Sequence, residues 1–167
     1  MSIIDLYDLF IHNPQITTDS RNCPKGSIFF ALKGDKFDGN QYAGKALASG
    51  CVYAVIDNPD YYIGERTILV DNVLKTLQQL AHHHRKVLGL PIIGITGTNG
   101  KTTTKELLAA VLSTKFNLLY TEGNFNNEIG LPLTVFNLRE EHEVAVLEMG
   151  ISHFGDMEPL ARIARPD

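Results

Sequence analysis

Apolar residues along the chain follow two patterns: short, mostly apolar runs, and longer stretches in which they recur every third or fourth position. The runs at 27–32, 51–56, 67–70, 92–95, 116–120 and 144–149 are bounded by glycine, proline, threonine or charged residues. That length and punctuation predict strands of a parallel sheet, with 92–95 covered on both faces. The stretches at 3–11, 41–49, 72–88, 101–114, 127–137 and 156–164 carry the helical period. A short strand at 16–18 and a polar, glycine-bearing loop at 33–40 complete the pattern. Strands alternating with helices imply an α/β fold whose parallel strands are joined by right-handed crossovers. Gly89-Leu90-Pro91 ends the longest helical stretch and divides the chain into 1–88 and 89–167.

Composition narrows the classes. The 167 residues include 15 Lys+Arg and 19 Asp+Glu, a net charge of −4 with no basic run, so nucleic acid is not an expected partner. Hydrophobic content of 44% supports a core, no apolar run approaches membrane-spanning length, and the first 13 residues lack signal-peptide features. Cys23 and Cys51 have no metal-ligand spacing and read as reduced thiols of a cytoplasmic protein. The helix at 156–164 leads into Arg165-Pro166-Asp167, and a proline there points to a further strand. The sheet therefore reads as cut, and the chain as part of a longer protein.

The densest chemistry follows the run at 92–95. Gly97, Thr98, Asn99 and Gly100 form a turn that opens a helix on Lys101, Thr102 and Thr103. Glycines let successive backbone N–H groups approach an anion, Lys101 supplies a cation for the outer phosphates of ATP, and the Thr102 hydroxyl can ligate Mg²⁺. The common phosphate-loop pattern has glycine where this chain has Ile95; here the glycines fall at 94, 97 and 100. Glu148 closes the run at 144–149, at the strand end where a metal-directed carboxylate belongs. Asn124, Asn126 and Asn127 lie between a strand and a helix and offer amide contacts to a substrate; an Asn/Gly turn with a helix cap is the plainer alternative. His82, His83 and His84 are adjacent on a helix and point in different directions, so they do not suit one zinc ion; His84 is expected to pack and the others to face solvent. Ser20 and Arg21 place a hydroxyl and a guanidinium in one turn, suited to a uracil, ribose or pyrophosphate.

In order and spacing, the chain from about residue 17 onward resembles the Mur ligases, ATP-dependent amide-forming enzymes of peptidoglycan precursor synthesis. The resemblance rests on Thr18-Asp19-Ser20-Arg21, Gly26-Ser27-Ile28-Phe29-Phe30-Ala31-Leu32-Lys33-Gly34, Asp38-Gly39, the glycine loop through Lys105-Glu106, Gly123-Asn124-Phe125-Asn126-Asn127-Glu128-Ile129-Gly130-Leu131-Pro132-Leu133-Thr134, and Glu148-Met149-Gly150. It implies a small N-terminal α/β domain binding a UDP-muramoyl peptide, followed by a truncated phosphate-loop parallel-sheet ATPase domain. Within the family the pattern is most like the member that joins D-alanyl-D-alanine to UDP-N-acetylmuramoyl-tripeptide through an acyl phosphate. The resemblance makes Lys101, Thr102 and Glu148 catalytic, Thr102 and Glu148 Mg²⁺ ligands, and the loop from Gly97 to Thr103 the ATP site. Ser20, Arg21, Asn40, Asn124, Asn126 and Asn127 become substrate contacts, although the family usually has histidine where Asn40 stands. D-Alanyl-D-alanine would be held by a domain beyond this chain, so the polypeptide alone is expected to be inactive. The family member that adds a single amino acid, and a non-catalytic nucleotide or UDP-sugar module, are the alternatives.

Overall fold

The computed structural model describes residues 1–151 and 154–167, which form two compact units, Met1–Leu80 and Ala81–Asp167. The division falls inside a helix, eight residues before the break expected at the Gly-Leu-Pro turn. Among the described residues no helix is long and apolar enough to cross a membrane.

The first unit opens with α1 (Ile3–His12), whose N-terminus is closed by a reciprocal cap: Ser2 Oγ accepts from the Asp5 N–H, and the Asp5 carboxylate accepts from the Ser2 N–H. A four-stranded parallel sheet follows, made of β1 (Ile16–Thr17), β2 (Ile28–Phe30), β5 (Tyr53–Ile56) and β6 (Thr67–Leu69) in that spatial order. Ile28 pairs with Tyr53, and Ala54 with Thr67. β2 is buried along its whole length, as an interior parallel strand requires. Between β2 and β5 the expected loop is instead a hairpin, β3 (Lys33–Gly34) with β4 (Phe37–Asp38), running into a 3₁₀ turn and α2 (Ala43–Ser49). Lys33 faces Asp38 and Gly34 faces Phe37 across it, a pairing invisible in a segment with no apolar alternation.

Asp57, at the carboxyl end of β5, ties this unit together. Its carboxylate accepts from Lys33 Nζ (2.8 Å), Asn40 Nδ2 (3.0 Å) and the Val73 N–H (3.2 Å) that opens α3 (Val73–Leu88). Burial alone would raise the Asp57 pKa; the hydrogen bonds from Lys33, Asn40 and Val73 outweigh it and hold the group below the usual carboxylate range. Asn72 Oδ1 adds a side-chain cap by accepting from the Lys75 N–H.

The second unit holds a three-stranded parallel sheet of order β7-β9-β8, with β7 (Ile92–Ile95), β8 (Leu118–Tyr120) and β9 (Val144–Glu148). The last strand in sequence is the central one, and it is the strand buried at every position. β7 is an edge strand, and Ile93 is 37% exposed, so the coverage on both faces expected for 92–95 belongs to β9 instead. Three helices accompany the sheet: α4 (Lys101–Leu112), α5 (Gly130–Val135) and α6 (Met157–Ala164). α5 starts later than expected because Asn127 Oδ1 takes the N–H groups of Ile129 and Gly130.

The histidine row has structural partners. His82 Nδ1 meets the Arg162 carbonyl at 2.7 Å. His84 is buried against Phe136, with ring centroids 6.3 Å apart, and its Nε2 donates to the Leu138 carbonyl at 3.1 Å. Burial chiefly, with the nearby Arg139 and His83 charges, lowers its pKa; the Leu138 bond opposes this.

Two stability predictions follow from these groups. Asp57→Asn leaves Lys33 without its anion and weakens the α3 cap, and should cost about 2 kcal/mol in urea unfolding at pH 7. The depressed carboxylate stabilises above its unfolded pKa of about 3.9 and loses that effect as pH falls through the lower folded value, so the variant and parent should converge at strongly acid pH. His84 is held neutral, so between its unfolded pKa of about 6.5 and its lower folded value the unfolded chain binds more protons. Melting temperature should therefore fall as pH drops below about 6.5, and His84→Gln, which keeps a donor for Leu138 but does not titrate, should flatten that slope.

Candidate functional site

The carboxyl ends of β7 and β9 carry the first cluster. The chain leaves β7 through Thr96, and Gly97 and Gly100 adopt φ of +143° and +76°, values that a side chain would strain. Gly100 occupies the N-cap of α4, so the loop from 97 to 100 feeds directly into the positive end of the helix. Thr98, Asn99 and Thr103 are exposed along it. Lys101 reaches back across the loop and donates from Nζ to the Gly97 carbonyl at 2.7 Å. Thr102 faces the strand ends, and its Oγ1 donates to Glu148 Oε1 at 3.3 Å.

Glu148 is the centre of this arrangement. It is 1% exposed; Oε1 also accepts from Asn126 Nδ2 at 2.8 Å, while Oε2 is buried with no hydrogen-bond partner among the described residues. A buried carboxylate oxygen left in that state costs about 1–3 kcal/mol or more. A divalent cation beside the Thr102 hydroxyl would satisfy it with hard oxygen ligands, so the donor set fits Mg²⁺. The strand end is pinned from both sides: the Glu148 N–H donates to Thr121 Oγ1 (3.0 Å) and the Met149 N–H to the Ile95 carbonyl (2.8 Å).

The asparagine segment divides its work. Asn126 joins the carboxylate, and its carbonyl accepts from the Gly150 N–H at 2.8 Å. Asn127 spends its side-chain oxygen on the start of α5, the plainer of the two readings, and Asn124 is exposed at the turn. The structure thus brings Lys101, Thr102, Asn126 and Glu148 together. It adds two groups the sequence had not marked as site residues, Thr121 and Lys105, both completely buried.

The first unit has a separate cavity of about 480 Å³. Ser20 and Arg21 line one side with Thr18 and Asp19; Phe29, Phe37, Tyr42 and Lys45 line the rest. Phe37 escaped sequence reasoning because the hairpin that presents it was not legible; Phe29, Tyr42 and Lys45 come to the cavity from β2, the 3₁₀ turn and α2, a convergence set by packing across space. Asp19 holds Arg21 through Nε and Nη2 at 2.9 Å each. The hydrogen bonds from the Arg21 side chain, then its backbone N–H, lower the Asp19 pKa to about 2. Arg21 is thereby oriented, and its side chain remains largely exposed at the cavity.

Asn40 does not reach that cavity. It is 0% exposed, and its Nδ2 donates to Asp38 and Asp57 while its Oδ1 accepts from the N–H groups of Asp57 and Asn58. The amide expected to contact a substrate is thus engaged inside the fold by Asp38, Asp57 and Asn58.

Comparison with known proteins fits this geometry. Residues 95–167 match the Mur ligase middle domain, and residues 12–85 match the Mur ligase family, catalytic domain. The UDP-N-acetylmuramoyl-tripeptide–D-alanyl-D-alanine ligase of Bacillus subtilis is 45% identical over 154 residues, covering 91% of this chain and 34% of that protein. The Escherichia coli protein of the same name is 36% identical over 152 residues, again covering 91% of this chain and 33% of its own length. Among solved structures, MurF ligase from Thermotoga maritima in complex with ADP superimposes with a TM-score of 0.85 at 35% identity, covering 95% of this chain and 36% of that one. MurF from Acinetobacter baumannii gives 0.84 at 37% identity, over 91% of this chain and 34% of its own. The chain thus spans about a third of the length of the relatives it matches. With both units matched in the family's order and the relatives aligned across 91% or more of its residues, the chain belongs to the Mur ligase family.

Proposed function

We propose that this chain is the N-terminal part of an ATP-dependent ligase that joins D-alanyl-D-alanine to UDP-N-acetylmuramoyl-tripeptide in the cytoplasmic stage of peptidoglycan synthesis. The observation that carries the reading is the orphaned Glu148 oxygen, buried beside Thr102 at the end of a glycine loop. The relatives' names give the substrates, and the ADP complex of one relative supports a nucleotide ligand.

In this reaction the γ-phosphoryl group of ATP passes to the terminal carboxylate of the tripeptide, giving an acyl phosphate and ADP. The amine of D-alanyl-D-alanine then attacks the carbonyl carbon, phosphate departs with the C–O electron pair, and the nitrogen loses a proton. Lys101 would leave the Gly97 carbonyl and follow the charge on the moving phosphoryl group, and the loop N–H groups would cradle the phosphate chain. Thr102 and Glu148 would hold Mg²⁺, which when bound neutralises phosphate charge. Asn126 fixes the Glu148 carboxylate and would keep it aimed at the phosphates. In the first unit, the aromatic walls and Lys45 suit a nucleobase and its phosphates, and Ser20 and Arg21 contribute polar contacts at the same cavity.

Titration calorimetry on the 167-residue chain tests the nucleotide site. ATP should bind with Mg²⁺ in the millimolar range, and Lys101→Ala should weaken it by about tenfold, equivalent to about 1.4 kcal/mol. Unchanged binding would favour a phosphate site elsewhere and undo the assignment. A second prediction concerns catalysis: alone, the chain should release no phosphate that depends on both tripeptide and dipeptide. Such release, measured with a coupled phosphate assay, would show that the relatives' remaining length is dispensable.

A further inference from the structure

Lys105 is the only lysine among the described residues that is completely buried, at 0% exposure. It lies three residues beyond Thr102 and four beyond Lys101, hence on the same face of α4 as the groups that open the phosphate site. Its Nζ donates to the Thr121 carbonyl at 2.6 Å and meets Glu106 Oε1 at 2.9 Å, 5.7 Å from the Tyr120 ring centroid. Thr121 is itself completely buried, and its Oγ1 accepts the Glu148 N–H at 3.0 Å while its own N–H donates to the Val146 carbonyl. Residue 121 also begins the segment that carries Asn126 to Glu148 Oε1. A path of direct hydrogen bonds therefore runs from the phosphate-loop helix through Thr121 to the carboxylate strand.

A methionine or leucine would fill the same space without taking an ammonium out of water. What the ammonium adds is a directional bond that fixes the depth of the β8 end against α4. From this we infer that Lys105 is a positioning residue: through Thr121 it holds Glu148 and the Asn126 segment at the distance from Thr102 that a phosphate-bound divalent cation requires. The inference rests on the nucleotide-and-metal reading above and assigns no contact between Lys105 and the nucleotide. Outer-shell groups of this kind are worth about 10–100-fold in metal affinity.

The test separates metal from nucleotide. Mn²⁺ affinity of the 167-residue chain is measured by electron paramagnetic resonance with a non-hydrolysable ATP analogue present, and affinity for the analogue is measured separately without a divalent ion. Lys105→Met should weaken Mn²⁺ by about tenfold and leave metal-free analogue binding within about twofold. Lys105→Arg, able to donate to the same carbonyl, should recover most of the loss. Thr121→Val keeps the carbonyl that Lys105 uses but removes the acceptor of the Glu148 N–H, and should reproduce the Mn²⁺ defect. It also carries the test if Lys105→Met does not fold. If both variants bind Mn²⁺ like the parent, or if both affinities fall together, Lys105 only supports the fold and the inference is overturned. Failure of the unsubstituted chain to bind Mn²⁺ with the analogue would instead defeat the nucleotide reading, and the inference would fall with it.

Discussion

Glu148 sits at the carboxyl end of the most enclosed strand of its sheet, one oxygen shared by Asn126 and Thr102 and the other without a donor among the described residues. Much of the second unit is arranged around that carboxylate. β9 brings it between β7 and β8, α4 presents Thr102 to it, and the turn after β8 swings Asn126 over it. Each of these elements could pack without Glu148; none would need to converge on one point. The orphaned oxygen gives the convergence a chemical sense, since hydrocarbon packing offers it nothing and a hard cation offers it a ligand sphere.

The first unit contains a comparable buried polar knot with the opposite outcome. Asp57, Asn40, Asp38 and Lys33 join β5, the hairpin and the start of α3, and Asn40 uses both ends of its amide there. A buried network whose members satisfy one another holds geometry. Its service to function is indirect: it anchors the hairpin whose tip sends Phe37 to the cavity wall. Two asparagines that looked alike in the sequence, Asn40 and Asn126, are thus separated by what their partners still lack.

How far the sequence reached follows from what is local. Alternating apolar runs and helical stretches are carried by neighbouring residues, so the α/β class, most elements and the loop leading to Lys101 were legible. Glu148 was legible as well, because the strand it closes is a contiguous apolar run. Pairing across space was not. β9 lies between its predecessors, which left β7 at an edge with Ile93 exposed, and no property of 92–95 itself distinguishes these outcomes. The hairpin at 33–38 depends on a Lys33–Asp38 pairing with no alternation to announce it. Lys105 reads as an ordinary helix-surface lysine until the Thr121 carbonyl is placed beneath it.

The glycine spacing that sets this loop apart from the common pattern has two physical causes. Gly97 and Gly100 are conformational, their positive φ turning the backbone so that N–H groups can face an anion. Gly94 is steric: a Cβ there would lie 2.7 Å from the Met149 methyl and 3.1 Å from Pro166. Pro166 is brought there because buried Arg85 donates to the carbonyls of Ala164 and Arg165 and to the Asp167 carboxylate, which in turn accepts the Ile92 N–H. The Asp167 N–H donates to the Ile92 carbonyl as well, so the segment after α6 lies along the open edge of β7. The strand that delivers the phosphate loop is therefore braced on one side by β9 and on the other by a chain held in place from α3. A glycine at 94 is what lets both braces close on the strand immediately before the loop, where a displacement would be passed straight to the amides proposed to meet the phosphates.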